Sequence, residues 1–466
     1  MAHAHAKPDP ENHAIPGSAR PPRSLPLCLL FLGALLAGSG CATYSDHTAG
    51  ARNYAQRGDY DSAIAELDKL LGVEDGHAHP KKFRDDSALV LLERGMLHQA
   101  RGDYDGSRED LQVADKQLEL LDLSNTAVQG VARYFYSDSA GPYRISPVER
   151  LSLNALNMLN YLAVGDLGGA RVEAKRFTVM RNYLRDINPD HPHGAIGSYL
   201  AGFVHEQLGE DSRAMRHYND ALQGGRIASL AAPVRRLAER VSVRGTQVRD
   251  LLAEAGEPPV RGGGEILVVT GVGRVPFKVP KRIPIGAVVG IVAADASDNF
   301  DVLERSAFKV LIFPELVPAL GTYDSALARI DGSDVPMDAI TNFGAELVRE
   351  YEKIKPKIIA AALSRMVARA VVAEGARKIG KEVGNGGELA GVLAGLLSES
   401  LLVAVDKPDT RSWTLLPNKI FVSRKRVPAG THQVEVGLGS GDSVWQRFAV
   451  DVPEGGYALV IVMPLH

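Results

Sequence analysis

Four times in the first half of the chain a glycine followed by an acidic residue ends one helical pattern, and a new helical pattern starts directly afterwards. The copies are RGDYDSAIAELDKLL at 57–71, RGDYDGSREDLQVAD at 101–115, VGDLGGARVEAKRF at 164–177 and LGEDSRAMRHYNDAL at 208–222. In each, small and large apolar residues recur at the spacing that places them on one face of a helix. A helix with a single apolar stripe cannot bury that stripe alone, so this half of the chain has to fold by stacking helices.

The copies resemble tetratricopeptide repeats, the first and last most closely. Tyr54, Tyr60, Ala63 and Leu67 in the first, and Gly202, Ala214, Tyr218 and Ala221 in the last, fall at the small and aromatic positions of that family. The resemblance implies helical hairpins in which small residues let helices approach and aromatics fill the gap, with a groove for a segment of a partner protein. Tyr60, Tyr104, Leu167 and Asp211 are 44, 63 and 44 apart, against roughly 34 in the regular repeat. Loops therefore interrupt the stack. They are read at 76–86, 137–147 and 185–194, where turn formers and proline dominate. A last helical stretch from Ala228 to Gly256 closes the array and leads to a linker at 257–264.

From Gly264 the pattern changes to runs dense in Val and Ile, punctuated by Gly and Pro, as strands and turns require. Further strands are expected at 309–313, 417–424, 431–438, 444–451 and 457–464, with the Pro-x-Gly of VPAGTHQVEV making a hairpin turn. A helical insertion spans about 342–405, in helices at 344–383 and 388–405. The second is apolar almost all round, but carries Glu388 and Glu399 and is read as buried. The fold class is therefore α+β: a helical repeat domain over 41–256, then a mainly β domain over 265–466. At the junction, Asp409, Arg411 and Trp413 are read first as a structural cluster, an Arg–carboxylate pair packed by indole, and second as a candidate recognition cluster.

The N-terminus sets the location. Arg20 and Arg23 precede LPLCLLFLGALLAG at 25–38, which is too short to span a bilayer and suits the apolar core of a signal peptide over 1–40. Small residues and Cys41 follow. This resembles the lipobox of bacterial lipoproteins, although Gly38 stands where that family prefers an aliphatic residue. The resemblance assigns lipidation to Cys41, and Ala42, which is not Asp, implies the outer membrane facing the periplasm. Cys28, inside the apolar run, is the chain's other cysteine, so no disulfide framework can exist downstream.

Chemistry is sparse. GARKIGKE at 375–382 has the skeleton of a phosphate loop, but Glu382 stands where Ser or Thr should hold magnesium and the context is helical. HAH at 77–79 and HPH at 191–193 lie in loops without a third fixed ligand, so no metal is assigned. Neither a catalytic group nor a cofactor motif is found, and a net charge of −3 gives no case for nucleic acid. In overall order the chain resembles uncharacterised proteobacterial TPR-containing envelope lipoproteins. The expectation is a non-enzymatic scaffold, held to the membrane by its lipid and binding envelope proteins through the helical groove. The alternative is a carrier of a small or lipidic ligand between the helical and β regions.

Overall fold

Gly58, Gly102, Gly165 and Gly209 take φ of 74, 83, 75 and 71°. That left-handed conformation ends a helix, and glycine adopts it without a Cβ penalty. In the first three turns the next residue caps the following helix: Asp59, Asp103 and Asp166 accept from the N–H groups of Ser62, Gly106 and Gly169 at 3.1, 3.0 and 2.8 Å. The computed structural model describes residues 43–123, 142–187, 194–242, 245–254, 262–284, 310–319, 321–382, 408–439 and 444–465. The signal segment with Cys28 and Cys41, the HPH at 191–193 and the stretch 388–405 lie outside the described residues.

After a single turn, α1 (Tyr44–His47), four hairpins follow: α2 (Ala49–Gln56) with α3 (Tyr60–Leu71), α4 (Ser87–Ala100) with α5 (Tyr104–Leu123), α6 (Pro147–Ala163) with α7 (Leu167–Ile187), and α8 (Ala195–Gln207) with α9 (Asp211–Ala221). The short helices α10 (Ala231–Ala238) and α11 (Thr246–Ala253) close the array. In each hairpin one residue stands seven before the turn glycine and another nine after it: Ala51 and Leu67, Gly95 and Leu111, Met158 and Ala174, Gly202 and Tyr218. All are buried. Where the first member is glycine the reason is contact: a Cβ on Gly202 would lie 2.4 Å from the Tyr218 ring, and one on Gly95 3.0 Å from Leu111. Five residues after each turn glycine stands a small buried residue, Ala63, Ser107, Ala170 or Ala214.

The C-terminal part forms two four-stranded sheets and one two-stranded ribbon. Central to the first sheet is β1 (Gly264–Arg274), parallel to β10 (Tyr457–Val462) and antiparallel to β7 (Pro417–Val427), which also pairs with β6 (Asp338–Asn342). The second sheet runs β5 (Ser333–Val335), β4 (Ala326–Ile330), β8 (Gly430–Leu438), β9 (Val444–Val452), all antiparallel. Alternate residues of β1 face opposite ways, as strand geometry demands. Ile266, Val268 and Val272 join the core shared with the second sheet, and Leu267 and Val269 join the core of the helical array. A strand buried on both faces reads as a continuous apolar run, which is the form of ILVV at 266–269. The fold is thus α+β, helices against a sheet that is backed by a second sheet, within one compact unit, Thr43–His466.

One expectation is corrected. The Pro-x-Gly turn after β7 makes no hairpin, because β8 pairs with β4 and β9 in the other sheet; the turn carries the chain between layers. The helical insertion begins with α12 (Phe343–Glu382), which packs on the ribbon of β2 (Phe277–Pro284) and β3 (Val310–Val317) through Ile354, Ile358, Ile359 and Leu363. GARKIGKE continues that helix, so the strand–loop–helix order of a phosphate loop is absent there. No helix among the described residues is long and apolar enough to cross a membrane.

Gly202→Ala tests the hairpin packing. Forcing a methyl against Tyr218 should cost about 1–3 kcal/mol in urea unfolding, as overpacking does elsewhere. An unchanged midpoint would show that the helices can separate freely.

Candidate functional site

Helical array and sheets meet along the segment 408–416, and two helix carboxylates hold it by its backbone. Glu93, in the middle of the apolar helix α4, accepts from the N–H and hydroxyl of Thr414, both at 2.7 Å, and from the N–H of Leu415 at 2.8 Å. Glu149 accepts from the N–H of Trp413 at 2.9 Å, and from Tyr143 Oη at 2.7 Å and the Ser146 N–H at 2.9 Å. Ser146 and Glu149 also form the capping box of α6, so one carboxylate both starts a helix and docks the distant strand segment.

Asp409 and Arg411 form the expected pair, a bidentate contact at 2.8 Å on both arms, and Arg411 Nη1 also reaches Asp86 at 3.1 Å. Trp413 is wholly buried. The trio therefore faces inward, with Arg411 clasping the loop before α4, an arrangement that favours the structural reading over recognition at the surface. A second clasp was not read from the sequence. Buried Arg424 on β7 bonds Glu265 on β1, Glu206 on α8 at 2.9 Å and Tyr218 Oη at 2.8 Å, while its guanidinium lies 4.7 Å over the Phe203 ring.

The seam also leaves polar atoms open. Tyr44 Oη, Arg274 Nε, Glu350 Oε2 and Trp413 Nε1 are buried without a hydrogen-bond partner among the described residues. Each is linked to one or both of the two carboxylates: Tyr44 interacts electrostatically with both, Arg274 with Glu93 and Glu350 with Glu149, and the Trp413 N–H is bonded to Glu149. Burial lifts the Glu93 carboxyl to about 7, against the hydrogen bonds from Thr414 and Leu415 that favour its ionised form. Burial, with Glu149 adding to it, lifts Glu350 to about 8.

No family model and no curated protein matches the chain. Its chemistry therefore has to be read from its own side chains.

The histidine reading changes in one respect. His77 of the HAH loop does meet further fixed groups, since His98 of α4 and Asp103 at the start of α5 lie beside it. His79 faces Asp110 at 3.1 Å. Of the remaining surface, α7 shows an apolar stripe: Val172, Val179 and Tyr183 are 53, 63 and 44% exposed.

Glu93 gives a pH test. Its proton is held more tightly in the folded chain than in the unfolded one, where the carboxyl titrates near 4.5. The associated stability is complete below that value and is lost as pH rises through about 7. Between about pH 5 and about pH 8, the cost of Glu93→Gln relative to wild type should fall by about 2–3 kcal/mol in urea unfolding. A pH-independent difference would show that Glu93 does not titrate in this window.

Proposed function

We propose that the protein is a non-enzymatic scaffold of the bacterial envelope, lipidated at Cys41, held on the periplasmic side of the outer membrane and binding a segment of a partner protein through its helical array. The lipobox-like run before Cys41 supports the anchor, and several acyl chains at about 0.8 kcal/mol per buried methylene make an attachment that hardly dissociates. The observation that carries the binding role is the stripe on α7. Val172, Val179 and Tyr183 are seven and four residues apart, so they share one helix face, with exposed Lys175 on one side and Arg176, bonded to Asp115 at 2.9 Å, on the other. An amphipathic segment with apolar anchors and flanking carboxylates fits that face.

A photocrosslinking residue placed at Val179 in cells should capture a defined protein that the same residue at exposed Leu327 does not, and Val172→Asp should abolish the capture. Acyl labelling should disappear with Cys41→Ala. Identical capture of abundant lipoproteins from both positions would refute the scaffold.

A second reading draws on the four open polar atoms at the seam. Tyr44, Arg274, Glu350 and Trp413 supply hydrogen-bonding groups that favour a carrier of a small polar molecule between helices and sheets rather than of a lipid. Native mass spectrometry of protein taken gently from cells decides it, since a mass equal to polypeptide plus acyl chains removes this reading.

A further inference from the structure

The second hairpin differs from its relatives at the turn. Four residues before the turn glycine stand Tyr54, His98, Tyr161 and His205. In the second and fourth hairpins this histidine turns its Nδ1 to the acid after the glycine: His98 to Asp103 at 2.8 Å, His205 to Glu210 at 2.6 Å. The pair alone is thus a recurring device of the fold. In the fourth hairpin Arg213, four residues after the glycine, closes it by bonding Glu210 at 2.8 Å. In the second, the equivalent position is Gly106, and a Cβ there would lie 2.7 Å from Asp103 Oδ2 and 2.8 Å from the His77 ring. The absent side chain is what lets His77 come down onto the pair.

The three groups are arranged as ligands. His98 Nε2 lies 3.0 Å from the Gly76 carbonyl and Nδ1 2.8 Å from Asp103 Oδ2; both partners accept, and in the tautomer whose proton sits on Nε2 the Nδ1 lone pair is free for a metal. A metal-bound histidine has this arrangement, its second nitrogen fixed by a carbonyl. His77 Nε2 is 3.3 Å and His98 Nδ1 2.8 Å from the same oxygen, Asp103 Oδ2. Tetrahedral bonds of about 2.0–2.1 Å set neighbouring ligands about 3.3 Å apart. In that tautomer Nδ1 and Asp103 Oδ2 both present lone pairs, and a cation relieves their repulsion. Arg101 supplies one, with Nη2 at 3.0 Å from Asp103 and 3.3 Å from His98 Nδ1. That arm is half out in solvent and its other nitrogen is held by Asp61 at 2.5 Å, so it can leave Asp103 without losing its partner. The connected network sets the carboxylates of Asp61, Asp68, Asp103 and Asp110 against the guanidiniums of Arg94 and Arg101, an excess of two negative charges.

We propose that His77 Nε2, His98 Nδ1 and Asp103 Oδ2 bind a divalent first-row transition ion of the zinc class, tying the 76–79 loop to the second hairpin. The half-exposed His77 leaves the fourth coordination position open to water. Imidazole and carboxylate donors without thiolate suit zinc, cobalt or nickel better than calcium or magnesium.

Cobalt titration tests it on full-length protein whose Cys28 and Cys41 have been alkylated. One equivalent should give the intense visible d–d absorption of a low-coordinate ion, zinc should displace it, and the ion should raise the Tm. His77→Ala, at an exposed position, should weaken binding at least about 10-fold and leave the metal-free Tm in place. Arg101→Ala should tighten it, by removing the competing cation, while His79→Ala should have no effect. A spectrum no stronger than that of aqueous cobalt, or a His77→Ala affinity equal to wild type, or an equal loss in His79→Ala, would overturn the assignment.

Discussion

The strand Gly264–Arg274 has no face that can be left to water. Ile266, Val268 and Val272 require one apolar layer and Leu267 and Val269 another, so the strand is stable only when helices cover one side and a second sheet the other. At about 25 cal/mol for each Å² of apolar surface removed from water, either layer alone leaves half of the gain unrealised. The helical repeats and the sheets are thereby made parts of one folding unit, although the composition of the chain changes sharply between them.

Polar groups trapped at that contact are satisfied only when both parts are present. Glu93 finds its donors, Thr414 and Leu415, only across the seam, and Arg424, paired with Glu265 inside the sheet, gains Glu206 and Tyr218 only from the helices. A charge buried without its partner typically costs several kcal/mol, so these residues penalise any arrangement in which the layers slide or separate. They give the contact its register, while apolar burial gives it its strength.

The hairpins were legible in the sequence because every determinant of them is local. A glycine at the left-handed turn, an acid to cap the next helix and a stripe at helical spacing all fall within one short segment. The sheets were less legible. The strands from Pro417 onward were read near their observed ends, but β4, β5 and β6 were missed, despite the D-G at 331–332 where both residues take positive φ, the signature of a tight hairpin. The seam was hidden because its contacts are distant: Glu93 meets Thr414 across 321 residues. The one trace was a charged pair, Glu93 and Arg94, inside a run that is otherwise apolar from Ala88 to Leu97. The histidine group was half visible, since the sequence shows the loop histidines but not that Gly106 leaves room for one of them beside His98.

The third hairpin reverses the size relation of the other three. At the positions seven before and nine after its turn glycine the large buried residue, Met158, is on the first helix and the small one, Ala174, on the second, while elsewhere alanine or glycine is on the first and leucine or tyrosine on the second. The hairpins are therefore not interchangeable modules. Duplicating, deleting or exchanging single helices between them would bring two bulky residues together or leave two small ones facing a void. Each first helix is therefore matched to its own second helix.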